Sequence, residues 1–160
     1  MAIYMKVPDT KGTVTARGYE NEIELNSLQF SASHPVITGQ IAGQRLVDPS
    51  LSEVVITKRL DLSSSSLLRF TLDHRFLDKL TFNFTRTSAG ATETFLQIVL
   101  RETLLTGYSF SSSGDIPVES LSINYIAIEF VHFAVDAAGR TVSGGPDGVF
   151  WHLHNASQRI

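Results

Sequence analysis

The 160 residues contain no cysteine. Disulfides, thiolate zinc sites and cysteine nucleophiles are therefore excluded, and the fold must stand on packing alone. Charge is also scarce: 18% of the residues are Asp, Glu, Lys or Arg, against about a quarter in an ordinary soluble domain. Ser and Thr take up much of the polar share. Such a surface either meets protein over part of its area or is simply a Ser/Thr-rich β surface, and composition leaves both open. The net charge is −3 and the basic residues are scattered. With no stripe to neutralise phosphates, nucleic-acid binding is not expected. No apolar run approaches the roughly 20 residues of a membrane helix, so membrane insertion is not expected either. Met1 to Val7 is too short for the apolar part of a secretory signal, and Lys6 interrupts it. The chain is expected to be made in the cytoplasm, and any export to bypass the general secretory route.

What is present reads as one domain, residues 1–160, built of strands with a single helix. Ile3, Met5 and Val7 share one face of a first strand, which Pro8 to Gly12 breaks. Glu22-Ile23-Glu24-Leu25 alternates as a half-buried strand does. The apolar parity then changes from odd (Ile23, Leu25) to even (Leu28, Phe30, Ala32), which predicts a bulge near Asn26-Ser27. Ser33 to Ser50 is the longest irregular stretch and carries Val36, Ile37, Ile41, Leu46 and Val47. Loops beyond about 12–15 residues are usually functional or disordered. One with this apolar content either folds back on its own domain or lies across a neighbour.

Val54 to Leu60 reads as the next strand, followed by serines 63–66 that offer helix-capping hydroxyls. Leu68, Leu72 and Phe76, with Leu67 and Phe70 beside them, predict an apolar face on a helix over about 65–74. Strands follow over Lys79–Thr87 and Thr94–Thr106, joined by a turn at Thr87–Gly90. A second polar loop is predicted over Ser109–Pro117, then one long strand over Glu119–Asp136 and a last one over Val149–Asn155. The second half of the long strand is apolar on both parities, so its outer face needs cover from the helix or from another chain. About seven strands with turns between them point to a sandwich or barrel.

No catalytic or metal pattern emerges. His152 and His154 share one face of a strand, but no third ligand has a fixed spacing from them. Asp73-His74 sits at the predicted helix end, where a histidine interacts well with the helix dipole without any acid–base role. The Gly144–Gly148 run lacks the Lys-Ser/Thr of a phosphate loop and precedes a strand. No cofactor is expected, and the residues alone favour homo-assembly through edges and loops.

Several segments carry a resemblance to a known family. Ala2-Ile3-Tyr4-Met5-Lys6-Val7 followed by Lys11-Gly12 is similar to the first strand and "KG" of the haemolysin-coregulated protein (Hcp) family. Thr57-Lys58-Arg59-Leu60-Asp61, the serines after it and Leu67-Leu68 resemble that family's "F-T-K-x-I-D-x-S-S-P-x-L" segment. Ser66 stands where the family usually has proline, and Leu60 replaces isoleucine. The order of elements agrees over nearly the whole chain.

The resemblance implies a mainly β fold: a compact β-barrel of two packed sheets with one short flanking helix and an extended loop at 33–50. It also implies a non-enzymatic tube protein of a bacterial type VI secretion system, secreted by that system without a signal peptide. Such chains form homohexameric rings that stack into a tube. The implied partners are a contractile sheath, a trimeric spike protein and small secreted effectors in the lumen. On that reading Val36, Ile37, Ile41 and Leu46 in the loop are expected at the ring-stacking or oligomer interface. Arg45 and Asp48 would set its register by charge. Gln29 and Ser31 are expected to face the lumen. The competing readings are a small-ligand-binding β-barrel with no assembly role and an enzyme on a barrel scaffold with the His152/His154 face as its site.

Overall fold

The computed structural model describes residues 1–34, 49–88, 90–134, 147–153 and 157–159. In chain order its elements are β1 (Ala2–Lys6), β2 (Ile23–Leu25), β3 (Ser27–Gln29), β4 (Ala32–Ser33), β5 (Ser50–Leu51), β6 (Val54–Arg59) and α1 (Ser64–Leu72). Then come β7 (Phe76–Ser88), β8 (Ala91–Ser111), β9 (Val118–Asn124), β10 (Ala127–His132), β11 (Asp147–His152) and β12 (Ser157–Arg159).

The β7–β8 hairpin is the spine. Its ladder runs from Phe76↔Leu104 to Ser88↔Ala91, and Gly90 adopts φ +83° in the turn beyond Ser88, where a side chain would be strained. β8 holds β7 on one edge. On the other it holds first β10 (Leu96↔His132 to Arg101↔Ala127) and then β9 (Leu104↔Asn124 to Ser111↔Val118). The predicted loop over Ser109–Pro117 is thus shorter: residues 109–111 still pair with 118–120.

The single strand predicted over Glu119–Asp136 is instead two, within the described residues. It breaks at Tyr125-Ile126, where the buried Tyr125 hydroxyl donates to the Ser52 carbonyl at 2.9 Å and Glu102 on the facing strand takes φ 49°. The break lets the two halves part: β9 pairs with β6, and β10 with β11.

The parity change is where the sequence puts it. β2 pairs with β1, β3 pairs with β6, and the chain between them turns at Asn26, whose N–H donates to the Thr57 carbonyl at 2.8 Å. One short segment therefore touches both ends of the path β1-β7-β8-β9-β6. No ladder joins β2 to β6, so the sheet is not a closed barrel. The two packed sheets expected are one branched ten-stranded sheet and the small ribbon β4–β5. The mainly β class with one short helix holds.

Side chains from β1, β2, β6, β7, β8 and β9 meet in one core: Met5, Ile23, Ile56, Leu80, Phe82, Ile98, Leu100, Leu121 and Ile123 are all within 1% of complete burial. Each such side chain stabilises the fold by roughly 1.5–3 kcal/mol. The helix adds Leu67 and Phe70. Leu68, Leu72 and Phe76, read from the sequence as its buried face, are exposed by 38%, 68% and 72%. The helix starts at Ser64, itself buried, and that anchor turns Leu67 and Phe70 inward at i, i+3. Its C-terminus closes with His74 at φ 50° and the Arg75 N–H on the Phe70 carbonyl at 3.1 Å, the Schellman arrangement. Gly12 lies against another backbone: a Cβ there would stand 2.2 Å from the Glu22 carbonyl oxygen.

Candidate functional site

Alternation along β6 places Val54, Ile56 and Lys58 on one buried face. Along β9 it does the same for Glu119, Leu121 and Ile123. Lys58 and Glu119 are paired across the ladder, both fully buried. The Lys58 ammonium donates to Glu119 Oε2 at 2.7 Å, to the Arg59 carbonyl at 2.8 Å and to Ser64 Oγ at 3.1 Å, and lies 2.9 Å from Asp61 Oδ1. Asp61 in turn accepts from the Ser63 N–H and hydroxyl, while its own N–H donates to Ser64 Oγ at 3.0 Å. The Tyr108 hydroxyl donates to Glu119 Oε1 at 2.6 Å. Burial and then the bond and charge of Glu119 push the Tyr108 pKa up to about 12.

The network ties β6, β8, β9 and the helix N-terminus together. The serines read as capping hydroxyls thus act partly elsewhere: Ser63 turns its hydroxyl to Asp61 and makes no side-chain bond to the helix. The signal for this cluster was present, since Lys58 shares the parity of Val54 and Ile56.

Beside the network, at the Arg59 end of β6, opens a cleft of about 530 Å³ lined by Thr13, Glu24, Leu25, Asn26, Arg59, Leu60, Asp61 and Ile116. At the other end, the stem of the long loop is held in place. Ser33 pairs with Ser50, the Ser31 N–H donates to Ser52 Oγ at 2.8 Å, and the Ser52 N–H donates to the Ser31 carbonyl at 2.9 Å.

An apolar groove of about 320 Å³ lies between this stem and the β10–β11 pair, lined by Phe30, Ala32, Pro49, Leu51, Ile128, Phe130, Val149 and Trp151. It arises because Ile128↔Trp151 and Phe130↔Val149 stack on one face and carry the apolar wall beyond the filled core. Phe130 and Val149 are exposed by 37% and 48%. This is the doubly apolar half-strand of the sequence, and neither β11 nor the ribbon covers it completely.

On the opposite face of the sheet a polar row crosses the strands. Tyr19 packs on Tyr4 with ring centroids 5.1 Å apart and shares a 2.6 Å hydrogen bond with Thr94. Gln97 donates to Asn83 Oδ1 at 2.9 Å, and Asn83 donates to Glu22, whose carboxyl burial pushes above its ordinary pKa.

Val36, Ile37, Ile41, Arg45, Leu46 and Asp48 lie outside the described residues. Gln29 and Ser31 are exposed and border a shallow groove with Phe30, Ser52, Glu53 and Val55. His152 is half-buried in β11, and His154 lies outside the described residues. Asp73 and His74 are both exposed at the helix end. Among the described residues no group of three or more His, Cys, Asp or Glu could hold a metal, and no helix is long and apolar enough to cross a membrane.

The model of a family described as "Type VI secretion system effector, Hcp" matches residues 4–132. Among solved structures, one of a "type six secretion system protein" superimposes with a TM-score of 0.87 at 18% identity, covering 99% of both chains. Hcp1 from Salmonella typhimurium gives 0.75 at 14% identity, over 99% of this chain and 98% of its own. A type VI secretion system effector from Yersinia pestis gives 0.74 at 14%, over 94% and 98%. At these identities the likeness is one of fold. Among curated proteins none matches.

Proposed function

The chain belongs to the Hcp family of type VI secretion system effectors, and from that premise we propose that it is a secreted, tube-forming subunit that closes into hexameric rings and stacks head to tail. The observation that supports this best is the apolar groove: Phe130, Val149 and Trp151 continue the core onto a surface that the chain's own strands leave partly open. A copy of the same chain seated there buries what the described strands leave open. The strongest polar constellation is suited to holding strands rather than to meeting a substrate: Lys58 and Glu119 are fully buried, and Asp61, at the cleft wall, is held by Lys58 and Ser63.

In the tube, the Ser33–Ser50 loop makes the ring-to-ring contact, with Val36, Ile37, Ile41 and Leu46 as apolar anchors and Arg45 and Asp48 setting register. Gln29 and Ser31, both exposed, face the lumen, where small effectors travel. A contractile sheath surrounds the tube and a trimeric spike tips it. The competing reading, a carrier of a small ligand, wants an internal cavity, and here Met5, Phe82, Leu100 and Leu121 fill the interior.

The test is export. Expressed in a bacterium with an active type VI apparatus, the chain is expected in the culture fluid, and in an otherwise identical strain whose sheath gene is deleted it is expected to stay in the cells. Equal release from both strains would contradict the proposal. Deleting residues 36–47 is expected to leave folded rings that make no long tubes; tubes of ordinary length would overturn the role given to the loop.

A further inference from the structure

We infer that residues 12–22 form a separable strap, a small lobe latched by Tyr19 and Glu22 over the outer face of the β1–β7–β8 sheet, and that the Glu22 latch holds tightest in acid.

The strap is held together from within. The Gly12 N–H donates to the Asn21 carbonyl at 2.7 Å, the Asn21 N–H to the Val14 carbonyl at 2.8 Å and the Val14 N–H to the Glu22 carbonyl at 3.1 Å. The Tyr19 N–H closes a turn on the Ala16 carbonyl at 2.9 Å. Gly18 takes φ +90° in that turn, and its N–H donates to Glu20 Oε2 at 2.9 Å. The hold on the sheet is lighter. No residue from Thr13 to Glu22 is buried; all are exposed or half-buried. Tyr19 packs on Tyr4 and bonds Thr94, and Glu22 meets Asn83. A segment that keeps its own hydrogen bonds and buries so little opens at a far lower free energy than core strands do. Thr13 also lines the cleft at the Arg59 end of β6, so the position of the strap sets the width of that cleft.

The latch favours a neutral carboxyl. The Asn83 amide, itself nearly buried, donates to Glu22 Oε2 at 3.5 Å, too long to offset what a carboxylate loses with its water. Gln97 holds that amide in place through a 2.9 Å bond to Asn83 Oδ1. Burial therefore pushes the Glu22 carboxyl above its ordinary pKa, against the pull of Asn83 and Lys6 and with a small push from Glu20. Around it β1 brings the exposed Lys6 and Tyr4, and the strap brings Glu20 and Tyr19. β2 brings Glu24, which acts on the same Tyr4, while β7 and β8 bring the neutral Asn83 and Gln97. A carboxyl that is harder to charge when docked than when free contributes fully below its ordinary pKa. That contribution is lost as pH rises through the docked value. Glu20 has the opposite sign: its own N–H and that of Gly18 hold its carboxyl below the usual range. Its bond lies inside the strap and moves with it.

Hydrogen exchange of the purified chain, read by mass spectrometry and corrected for the intrinsic rate at each pH, tests both parts. The amides of residues 13–22 are expected to open without β7 and β8, and to lose protection relative to those strands as pH rises from about 4 to about 8. Glu22→Gln keeps an oxygen for Asn83 and never charges, so it is expected to hold the acid level of protection at every pH. Tyr19→Phe keeps the ring and loses the bond to Thr94, and is expected to lower protection about fivefold across the range. Glu20→Gln is expected to leave the trend with pH in place. Protection equal to that of β7 and β8 would reject the separable strap. A flat profile in the unaltered chain, or a trend that survives Glu22→Gln or vanishes with Glu20→Gln, would reject the latch.

Discussion

The ammonium of Lys58 lies 2.7 Å from Glu119 Oε2 on the neighbouring strand, and neither side chain has any exposure to solvent. Taking two charges out of water costs several kcal/mol per ion, which their attraction offsets only when the remaining donors and acceptors are also satisfied. Here they are: the ammonium has four acceptors around it and Glu119 has Tyr108 on its second oxygen. The pair is better understood as a device that admits one arrangement of β6, β9 and α1 than as a large net source of stability.

Lys58→Met is therefore expected to destabilise the fold by about 3–5 kcal/mol, because Glu119 is left charged and unpaired in the core. Adding Glu119→Leu is expected to recover much of that loss, since the fully buried charge is then gone, while Asp61 is partly exposed and keeps its bonds from Ser63. Urea unfolding of the single and double variants measures both. A double variant no better than the single would show that the two side chains do not act as a pair.

Tyr108 and Tyr125 both have pKa values raised from 10 to about 12, the first by burial and then Glu119, the second by burial. A group whose folded pKa exceeds its unfolded value contributes stability below the unfolded pKa and loses that contribution as pH rises through the folded one. Stability is thus expected to fall between about pH 10 and 12, with a matching delay in the growth of tyrosinate absorbance. Tyr108→Phe should make the fall shallower. A tyrosinate signal complete by pH 11 would contradict the assignment.

Gly12→Ala is expected to destabilise by at least about 1–3 kcal/mol, the usual cost of overpacking, because the new Cβ meets the Glu22 backbone 2.2 Å away. Thermal unfolding reads this directly, and an unchanged melting temperature would mean the close approach is not required.

The parity change at Asn26 was legible because a one-residue shift swaps every side chain to the other face, and Leu28 and Phe30 do turn to the core after Ile23 and Leu25. The helix was legible in position but not in orientation. Consecutive leucines at 67 and 68 fit two faces equally well, and the choice is made by Ser64 and Lys58, contacts distant from the helix pattern. The break at Tyr125 was not legible, since it depends on a hydrogen bond to Ser52 across the fold. Lys58 and Glu119 were within reach of simple alternation, but a charged residue on a buried parity reads as an interruption until its partner is seen. The apolar groove was foreshadowed by Phe130, which the sequence placed on the second apolar face of its strand.

Phe130→Ser tests that groove. Phe130 is 37% exposed at its edge, so the isolated chain is expected to lose about 1–2 kcal/mol and stay folded, while sedimentation velocity should show the variant losing the ring species. A variant that assembles as the unaltered chain does would remove the groove from the contact between copies.

The most direct test of the account is the mass of the purified chain in solution together with its appearance in negative-stain electron micrographs. The account predicts a particle of six chains, seen as rings and as stacks of rings. A stable single-chain particle, with no rings at any concentration, would contradict it.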